Sequence, residues 1–315
     1  MKTYTYETEL IRRKTKMSPA AKKQAWTCYL LLALPIIGFL VFTLYPMVWA
    51  IRLSWFSYTG VPSETHFVGF DNFKTLFTTD SNYWKAWLFT FKYALIKVPI
   101  EAIVAFVTAY FLSKEPKFVN LFRSTYYLPA IFSVAIIGLI FSNIFDYFGV
   151  ANGLLMKIGL IKENVNWYAN EGTATAALLI GGWWNSFGVT VLYFMAALSN
   201  VPKELYESAE IDGANEFKKV LNISVPLIMP IFQVLLLLSI NGCLQVNEYV
   251  LVMTNGAPGG LTHTINSYMT SKIVPGFGVV TNLGYACCMS FITSIILCII
   301  AIIYTRLSDK LKNLY

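Results

Sequence analysis

The chain has 315 residues, of which 56% are hydrophobic and only 13% are charged, and its mean hydropathy is +0.57. Soluble globular domains carry charge on about a quarter of their residues, so this composition excludes a soluble domain and indicates an integral membrane protein. Basic residues that face anionic lipid headgroups explain the formal net charge of +7, so no nucleic-acid partner is needed to account for it.

Apolar stretches long enough to cross a bilayer occur six times in the sequence. A hydrocarbon core of about 30 Å requires about 20 helical residues. We therefore predict an all-α integral membrane protein with about six transmembrane helices over residues 28–305, between a basic tail of residues 1–27 and a short tail of residues 306–315. The predicted helices cover residues 28–51, 86–112, 122–144, 173–198, 227–252 and 282–304.

The distribution of Lys and Arg among the loops predicts the orientation of the chain in the membrane. Seven of these residues precede the first predicted helix, and three lie in each of the 2/3 connection, the 4/5 connection and the C-terminal tail. The opposite loops, which are as long or longer, together hold six. Because basic loops stay in the cytoplasm, we expect both termini and the 4/5 connection to be cytoplasmic.

The second predicted helix carries charged residues at membrane depth, where an unpaired charge is costly. Lys97 and Glu101 are spaced i, i+4, so their side chains can pair, and Lys92 can extend its ammonium group toward the membrane surface. One interpretation of these residues is a proton relay or an ion-coupled site. The other is that the pair faces a neighbouring subunit while Lys92 extends outward.

The connection between the fourth and fifth predicted helices reads as two short helices joined by a tight turn. Asn200 is a candidate N-cap for a helix of residues 201–212. Gly213 can adopt the left-handed conformation that ends a helix, and a second helix of residues 214–223 is expected to stop before Pro226. An ordinary polar connection between membrane helices is the alternative interpretation.

Polar side chains cluster on the fifth predicted helix. Asn241, Gln245 and Glu248 are spaced i, i+4 and i+7, so they are expected to share one face. Amides, a carboxylate and a neighbouring aromatic ring suit the hydroxyl groups and ring faces of a sugar. Hydrogen bonding between helices is the alternative role for such residues. The predicted substrate-binding residues, two of them on the fourth helix, are Asn241, Gln245, Glu248, Tyr249, Asn185 and Trp184.

No constellation of residues indicates an enzyme or a metal site. The five cysteines all fall within predicted helices, which is typical of reduced packing residues. His66 and His263 lie in separate outer loops, without a Cys or carboxylate at ligand spacing. The sequence contains no Gly-x-x-x-x-Gly-Lys-Ser/Thr motif, so any ATP hydrolysis must come from another chain.

The 4/5 connection also carries a spaced motif. It reads Glu207-Ser-Ala, three residues, Gly213, nine residues, and Ile223-Ser-Val-Pro226. This resembles the conserved loop of permease subunits of binding-protein-dependent ABC importers, which is Glu-Ala-Ala, three residues, Gly, nine residues, and Ile-x-Leu-Pro. The second position of the triplet and the position before the proline depart from that pattern.

Further fragments, in the expected order, resemble the sugar-transporting branch of these permeases, the maltose, multiple-sugar and glycerol-phosphate group. A departure is Phe89-Thr90, where members of the branch usually show Asn-Thr. The matching fragments are Tyr45-Pro46, Phe67-Val-Gly-Phe-Asp-Asn-Phe73, Leu128-Pro129 at the opening of the third helix, Gly149-x-x-Asn152 and Met253-Thr-Asn-Gly-Ala-Pro-Gly-Gly260.

The resemblance implies a non-catalytic subunit in a bacterial cell membrane that moves a carbohydrate, an oligosaccharide, into the cytoplasm. Its implied partners are a second permease in a heterodimer, two cytoplasmic ATPase subunits and an extracytoplasmic solute-binding protein. No cofactor is expected in this chain, because ATP and magnesium would be held by the ATPase. Residues 199–226 would form a cytoplasmic coupling-helix loop between helices 4 and 5. The predicted ATPase-docking residues are Glu207, Ser208, Ala209, Asp212, Gly213 and Ala214.

Two other functions remain open from the residues. An ion-coupled secondary transporter would be expected to show inverted repeats, and no internal repeat is evident. An ABC permease for glycerol phosphate would call for inward-facing Arg, and no predicted helix core contains one. These considerations favour a neutral sugar.

Overall fold

The computed structural model describes residues 19–273 and 282–312, and most of these residues are helical. Within these described ranges, five helices are long and apolar enough to cross a membrane, or six if a bent pair of shorter helices counts as one span. This confirms the predicted all-α fold with about six transmembrane helices. The elements are α1 (Pro19–Leu53), β1 (Phe56–Ser57), β2 (His66–Phe67), α2 (Asp71–Thr78), α3 (Ser81–Ser113), α4 (Val119–Ile131), α5 (Val134–Ile144), α6 (Val150–Lys157), α7 (Glu171–Leu198), α8 (Lys203–Ile211), α9 (Glu216–Leu244), α10 (Glu248–Met253), α11 (Ile265–Ile273) and α12 (Leu283–Lys312).

The first span, α1, forms a unit by itself and begins before the predicted start at residue 28. One of its turns, Leu40–Leu44, is π-helical. The N–H of Tyr45 donates to the carbonyl of Leu40, five residues back, directly before Pro46. A proline lacks an N–H and its ring collides with the preceding turn of an α-helix, so the wider π turn lets the helix continue through it.

A small hairpin and a short helix, α2, begin the second unit. In the hairpin β1 and β2 pair antiparallel, with Phe56 opposite Phe67. The amide of Asn72, on α2, donates to the carbonyls of Ser54 at 2.9 Å and Phe56 at 3.0 Å. These bonds fix the hairpin on the helix, in the region where the sequence predicted an outer loop.

The third predicted span is a bent pair of helices rather than one helix. Helices α4 and α5 meet at 97°, and the two residues between them, Phe132 and Ser133, are extended, with ψ of 146° and 140°. Pro129 lies in the last turn of α4 and does not open a helix, which corrects the sequence prediction. The unbroken apolar run hid the bend, because hydropathy reports residue type and not backbone conformation.

The fifth predicted span differs from the prediction at both ends. Helix α9 runs through Pro226, because a π turn at Val220–Ser224 directly precedes it, as in α1. The predicted stop before Pro226 was therefore wrong. At the other end α9 finishes at Leu244, and residues 245–247 separate it from the short helix α10.

Glycines on α7 allow its neighbours to approach closely. A Cβ added at Gly188 would lie 1.7 Å from the carbonyl oxygen of Tyr126 on α4. At Gly182 it would lie 2.2 Å from the hydroxyl oxygen of Tyr93 on α3. Small residues at helix interfaces are common in membranes, where close packing replaces the hydrophobic effect as the driving force. Helix α7 is thus held against both α3 and α4.

Asn152, from the Gly149-x-x-Asn152 fragment, is a structural residue. Its side chain is 1% exposed. Its amide donates to the carbonyls of Tyr147 at 3.0 Å and Val165 at 2.8 Å, and its oxygen accepts a bond from the indole N–H of Trp167 at 3.0 Å. The fragment therefore ties α6 to the segment that leads into α7.

Candidate functional site

A cavity of about 780 Å³ opens between α3, α7, α9 and α10, beside the bend that joins α4 to α5. Its lining mixes apolar walls with amides, hydroxyls and charged groups, which suits a ligand that has both polar edges and an apolar face. The polar and charged lining residues are Lys97, Glu101, Asn185, Ser186, Thr190, Ser239, Gln245, Asn247 and Glu248.

Four of the six predicted substrate-binding residues line this cavity. They are Asn185, Gln245, Glu248 and Tyr249. Helix α9 ends at Leu244, so the predicted i, i+4, i+7 face does not exist as a continuous helical face. Gln245 and Glu248 still line the same cavity, because the chain turns at residues 245–247 beside it.

The other two predicted residues, Asn241 and Trp184, are not among the lining residues. The side-chain oxygen of Asn241 accepts a hydrogen bond from the amide of Gln245 at 2.8 Å. Asn241 therefore orients a residue that does line the cavity. The ring of Trp184 packs edge-on against Phe141, with 5.6 Å between centroids.

Tyr249 is held by packing as well as by its position at the cavity. It is 3% exposed, and its hydroxyl donates to the carbonyl of Leu178 at 2.8 Å. Gly181 makes room for this hydroxyl, since a Cβ there would lie 2.2 Å from the Tyr249 oxygen. The tyrosine thereby fixes α10 on α7 at the edge of the cavity.

Two of the residues that line the cavity form an ion pair. The Nζ of Lys97 lies 2.6 Å from Oε2 of Glu101, as the i, i+4 spacing predicted. Two hydroxyls of α7 complete the group: Ser186 accepts from Lys97 at 2.8 Å and donates to Oε2 of Glu101 at 2.9 Å, and Thr190 donates to Oε1 at 2.8 Å. Neither hydroxyl was predicted as a site residue from the sequence, although their own i, i+4 spacing on one helix was a usable signal.

Lys92 belongs to a different environment. Its ammonium group pairs with Glu171 at 2.6 Å, and the two side chains are 46% and 39% exposed. Glu171 is the first residue of α7, where a carboxylate also stabilises the positive end of the helix dipole. Lys92 is thus separate from the cavity, in agreement with the expectation that it extends outward.

A residue directly before α11 stabilises the break between α9 and α10. The hydroxyl of Thr264 donates to the carbonyl of Val246 at 2.6 Å. Within the described part of the chain, the buried side-chain oxygen of Asn247 has no hydrogen-bond partner. Such an acceptor is costly to leave unpaired and lies where a bound molecule could donate to it. Asn247 is not among the site residues predicted from the sequence.

The 4/5 connection folds as two helices joined by a turn, as predicted in outline. Gly213 adopts φ of +73° and ends helix α8. Asn200 does not cap this helix: its amide donates to the carbonyl of Ala196, and α8 begins at Lys203. The cap that the sequence analysis missed is Asn215, whose side-chain oxygen accepts from the N–H of Lys218 at 2.9 Å at the start of α9.

Most of the predicted docking residues are accessible. Glu207, Ser208, Asp212 and Gly213 are exposed, whereas Ala209 and Ala214 are half-buried. Apart from the glycine and its two chain neighbours, no atom of the described residues lies within 4 Å of a Cβ added at Gly213. The structure therefore presents these residues as one open surface around the turn, and their contact with an ATPase stays a prediction.

Buried charge connects this surface to the long helices. Lys219 is 5% exposed, and its Nζ lies 2.6 Å from Oε1 of Glu210 on α8 and 3.1 Å from Oε1 of Glu216 on α9. Oε2 of Glu216 accepts a bond from the hydroxyl of Tyr110 at 2.8 Å and pairs with Lys114, both at the end of α3. Three elements are thus joined by one network.

The loop between α10 and α11 is compact around a histidine. Nδ1 of His263 lies 3.1 Å from the hydroxyl of Ser267, and the ring packs against Gly256, where a Cβ would lie 2.3 Å from it. Burial, and secondarily the positive charge of Lys272, lower the pKa of His263 below its ordinary value of 6.5. Nothing in this arrangement places a metal ligand beside the ring: among the described residues there is no group of three His, Cys, Asp or Glu that could hold a metal ion.

Comparison with known proteins gives a consistent result over most of the chain. A family model described as binding-protein-dependent transport system inner membrane component matches residues 81–313. The arabinooligosaccharides transport system permease protein AraP of Bacillus subtilis is 32% identical over 309 residues, which cover 93% of this chain and 95% of that protein. The multiple sugar-binding transport system permease protein MsmF of Streptococcus mutans is 26% identical over 292 residues, covering 92% and 97%.

A solved structure has the same fold. It is a chain of a bacterial alginate ABC transporter in complex with an alginate pentasaccharide-bound periplasmic protein, and it aligns with a TM-score of 0.78. The alignment covers 92% of this chain and 96% of that chain at 22% identity. At this identity the likeness shows the fold alone.

Proposed function

This chain belongs to the family of binding-protein-dependent transport system inner membrane components, and from this membership we propose that it forms one half of the pore of an ATP-driven oligosaccharide importer. The relatives AraP and MsmF are named for the transport of arabinooligosaccharides and of multiple sugars. A second permease completes the pore, and a solute-binding protein delivers the sugar from outside.

The observation that carries the proposal is the cavity between α3, α7, α9 and α10. Its volume of about 780 Å³ lies within the usual range for small-molecule sites. Asn185 and Gln245 offer amide donors and acceptors to sugar hydroxyls, and Tyr193 offers an aromatic face. Residues 245–247 interrupt the helical path beside the cavity, and such breaks in membrane helices are tolerated where they line a site.

ATP hydrolysis takes place on separate ATPase subunits, which also hold the magnesium ion. These subunits dock on the open surface from Glu207 to Ala214. Closure of the ATPases moves α8, and the network around Lys219 transmits that movement to α9 and α3 as a rigid body. In this arrangement both termini and the docking surface are cytoplasmic, and the hairpin and the His263 loop face outward, where the solute-binding protein docks.

A phosphorylated substrate is less suited to this cavity. Among the described residues, those that line it include no Arg, the side chain that binds phosphate in a bidentate way, and their one Lys is already paired with Glu101. An importer of glycerol phosphate would be expected to present at least one uncompensated cation here.

Uptake into proteoliposomes tests the proposal. The chain is purified with its co-expressed partners, and uptake of radiolabelled arabinotriose is measured with and without ATP. We expect uptake to require ATP, and we expect Gln245→Ala to raise the KM about tenfold because a hydrogen bond to the sugar is lost. Asn143→Ala, an exposed amide on α5 outside the cavity, serves as the control. Uptake that continues without ATP would contradict the importer and favour ion coupling.

A further inference from the structure

The charged groups that line the cavity are unequal in number. Lys97 supplies one ammonium group, while Glu101 and Glu248 supply two carboxyl groups. Lys97 is paired with Glu101 at 2.6 Å, so its positive charge is compensated within the wall. An acidic ligand that enters this cavity would therefore meet no uncompensated positive charge among the described lining residues and would face the carboxyl group of Glu248.

The ammonium group of Lys97 nevertheless keeps one donor for a ligand. An ammonium group has three hydrogens. Two are used by Glu101 and Ser186, and no third acceptor is found within the described part of the chain. Because Lys97 lines the cavity, the remaining hydrogen can be donated to a hydroxyl or ring oxygen of a sugar.

Glu101 is held as a carboxylate acceptor on every side. It is 2% exposed, Oε2 accepts from Lys97 and Ser186, and Oε1 accepts from Thr190. Three donors converge on one carboxyl group, which satisfies it in a setting where a buried charge without partners would be costly. Glu101 thus cancels the positive charge of Lys97 within the cavity wall, while Lys97 keeps a hydrogen that it can donate to a ligand.

From this geometry we infer that the Lys97–Glu101 pair determines the charge specificity of the cavity, which accepts neutral oligosaccharides and rejects acidic ones such as uronates. The inference rests on the proposed function. Lys97 donates to the neutral sugar, and Glu101 prevents the same ammonium from attracting a carboxylate. Removing the charge of Glu101 while keeping its shape should release that attraction.

Direct binding tests this inference without interference from a solute-binding protein. The complete transporter of permeases and ATPases is placed in nanodiscs, and binding of a neutral trisaccharide and of a uronate trisaccharide is measured by calorimetry. We expect Glu101→Gln to raise the affinity for the uronate, relative to that for the neutral sugar, by at least about tenfold. The matched control is Glu171→Gln, which removes the carboxylate of the exposed Lys92 pair outside the cavity and should leave the ratio unchanged.

The outcomes separate the inference from the proposed function. An unchanged ratio in a folded Glu101→Gln transporter overturns the charge specificity, even if the neutral sugar still binds. Should Glu101→Gln fail to fold, Glu101→Asp decides the matter, because the shorter side chain withdraws the carboxylate from Lys97 and should shift the ratio in the same direction. Wild-type transporter that binds neither trisaccharide overturns the proposed function, and the inference with it.

Discussion

The Nζ of Lys219, at the start of α9, lies 2.6 Å from Oε1 of Glu210, on the helix that carries the predicted docking surface. Lys219 is buried, whereas the side chain of Glu210 is 64% exposed. The lysine is therefore held by the long helix, and the pair connects the short helix to it. Movement of the short helix α8 is therefore expected to be transmitted to α9 through this pair.

Replacement of Lys219 by Met should weaken the coupling between the docking helix and the pore. The aliphatic part of the side chain is kept, but the bonds to Glu210 and Glu216 are lost. We expect the ATPases to remain bound while sugar-stimulated ATP hydrolysis falls at least about fivefold, because the charge-assisted hydrogen bonds that join α8 to α9 are lost. The measurement is ATPase activity in proteoliposomes. Lys218→Met, at an exposed neighbouring lysine, is the control, and an equal loss in both variants would contradict a specific role for Lys219.

Replacement of Gly213 by Arg should remove the ATPases from the complex. The glycine has φ of +73°, and the space where a side chain would begin is open, so a large side chain projects from the docking surface. Gly213→Asn should retain the ATPases, because Asn tolerates this backbone conformation and is small. Recovery of the ATPases in an affinity purification is the measurement.

A second positive-φ glycine provides the control for Gly213. Gly259 has φ of +57°, also with nothing within 4 Å of an added Cβ, and lies in the loop between α10 and α11. Gly259→Arg introduces the same backbone strain and the same charge on a different loop. If both arginine variants lose the ATPases equally, general destabilisation is the cause and the docking assignment is wrong.

The positions of the spans followed from the sequence, but the breaks within them did not. An apolar run of about 20 residues is a sufficient signal for a membrane helix. The bend at Phe132 and Ser133 and the end of α9 at Leu244 carry no Gly or Pro at the break itself. At the end of α9 a tertiary contact, the bond from Thr264 to Val246, holds the backbone.

The candidate site was likewise predictable only within single helices. The pairing of Lys97 with Glu101 followed from their spacing on α3. That Ser186 and Thr190 complete the group depends on how α7 is positioned against α3, and this positioning is determined by close contacts such as that of Gly182 with Tyr93. A single sequence shows which residues are present on each helix, but it does not show how the two helices align against each other.

Replacement of Gly188 by Ala should destabilise the packing of α7 on α4. The new Cβ would lie 1.7 Å from the backbone oxygen of Tyr126, so the two helices must separate. Overpacking of this kind costs about 1–3 kcal/mol. The thermal unfolding temperature in detergent should therefore fall. Gly153→Ala on α6, where no atom lies within 4 Å of the new Cβ, should leave it unchanged or raise it, and a similar fall in both variants would refute the close-contact argument.

The pKa of His263 predicts a loss of stability at acidic pH. Because burial lowers this pKa in the folded protein, the unfolded chain binds a proton first as the pH falls below about 6.5. The contribution of His263 to stability is therefore fully present above its ordinary pKa. It declines as the pH falls toward the lowered pKa of the folded protein and does not change further below that pKa. Thermal unfolding of the purified protein between pH 7.5 and 5 measures the decline, with pH values chosen around the ordinary histidine pKa of about 6.5.

His263→Gln should flatten this pH dependence, because glutamine cannot take up the proton yet can still bond to Ser267. His66→Gln, in the exposed hairpin strand β2, should leave it unaltered. A flat profile in wild type, or a decline that persists equally in both variants, would show that another group titrates. Burial and, secondarily, the positive charge of Lys272 disfavour protonation of the imidazole here. Lys272→Met should accordingly make the decline smaller, so that the variant loses less stability than wild type between pH 7.5 and 5. The difference separates the electrostatic contribution of Lys272 from the contribution of burial.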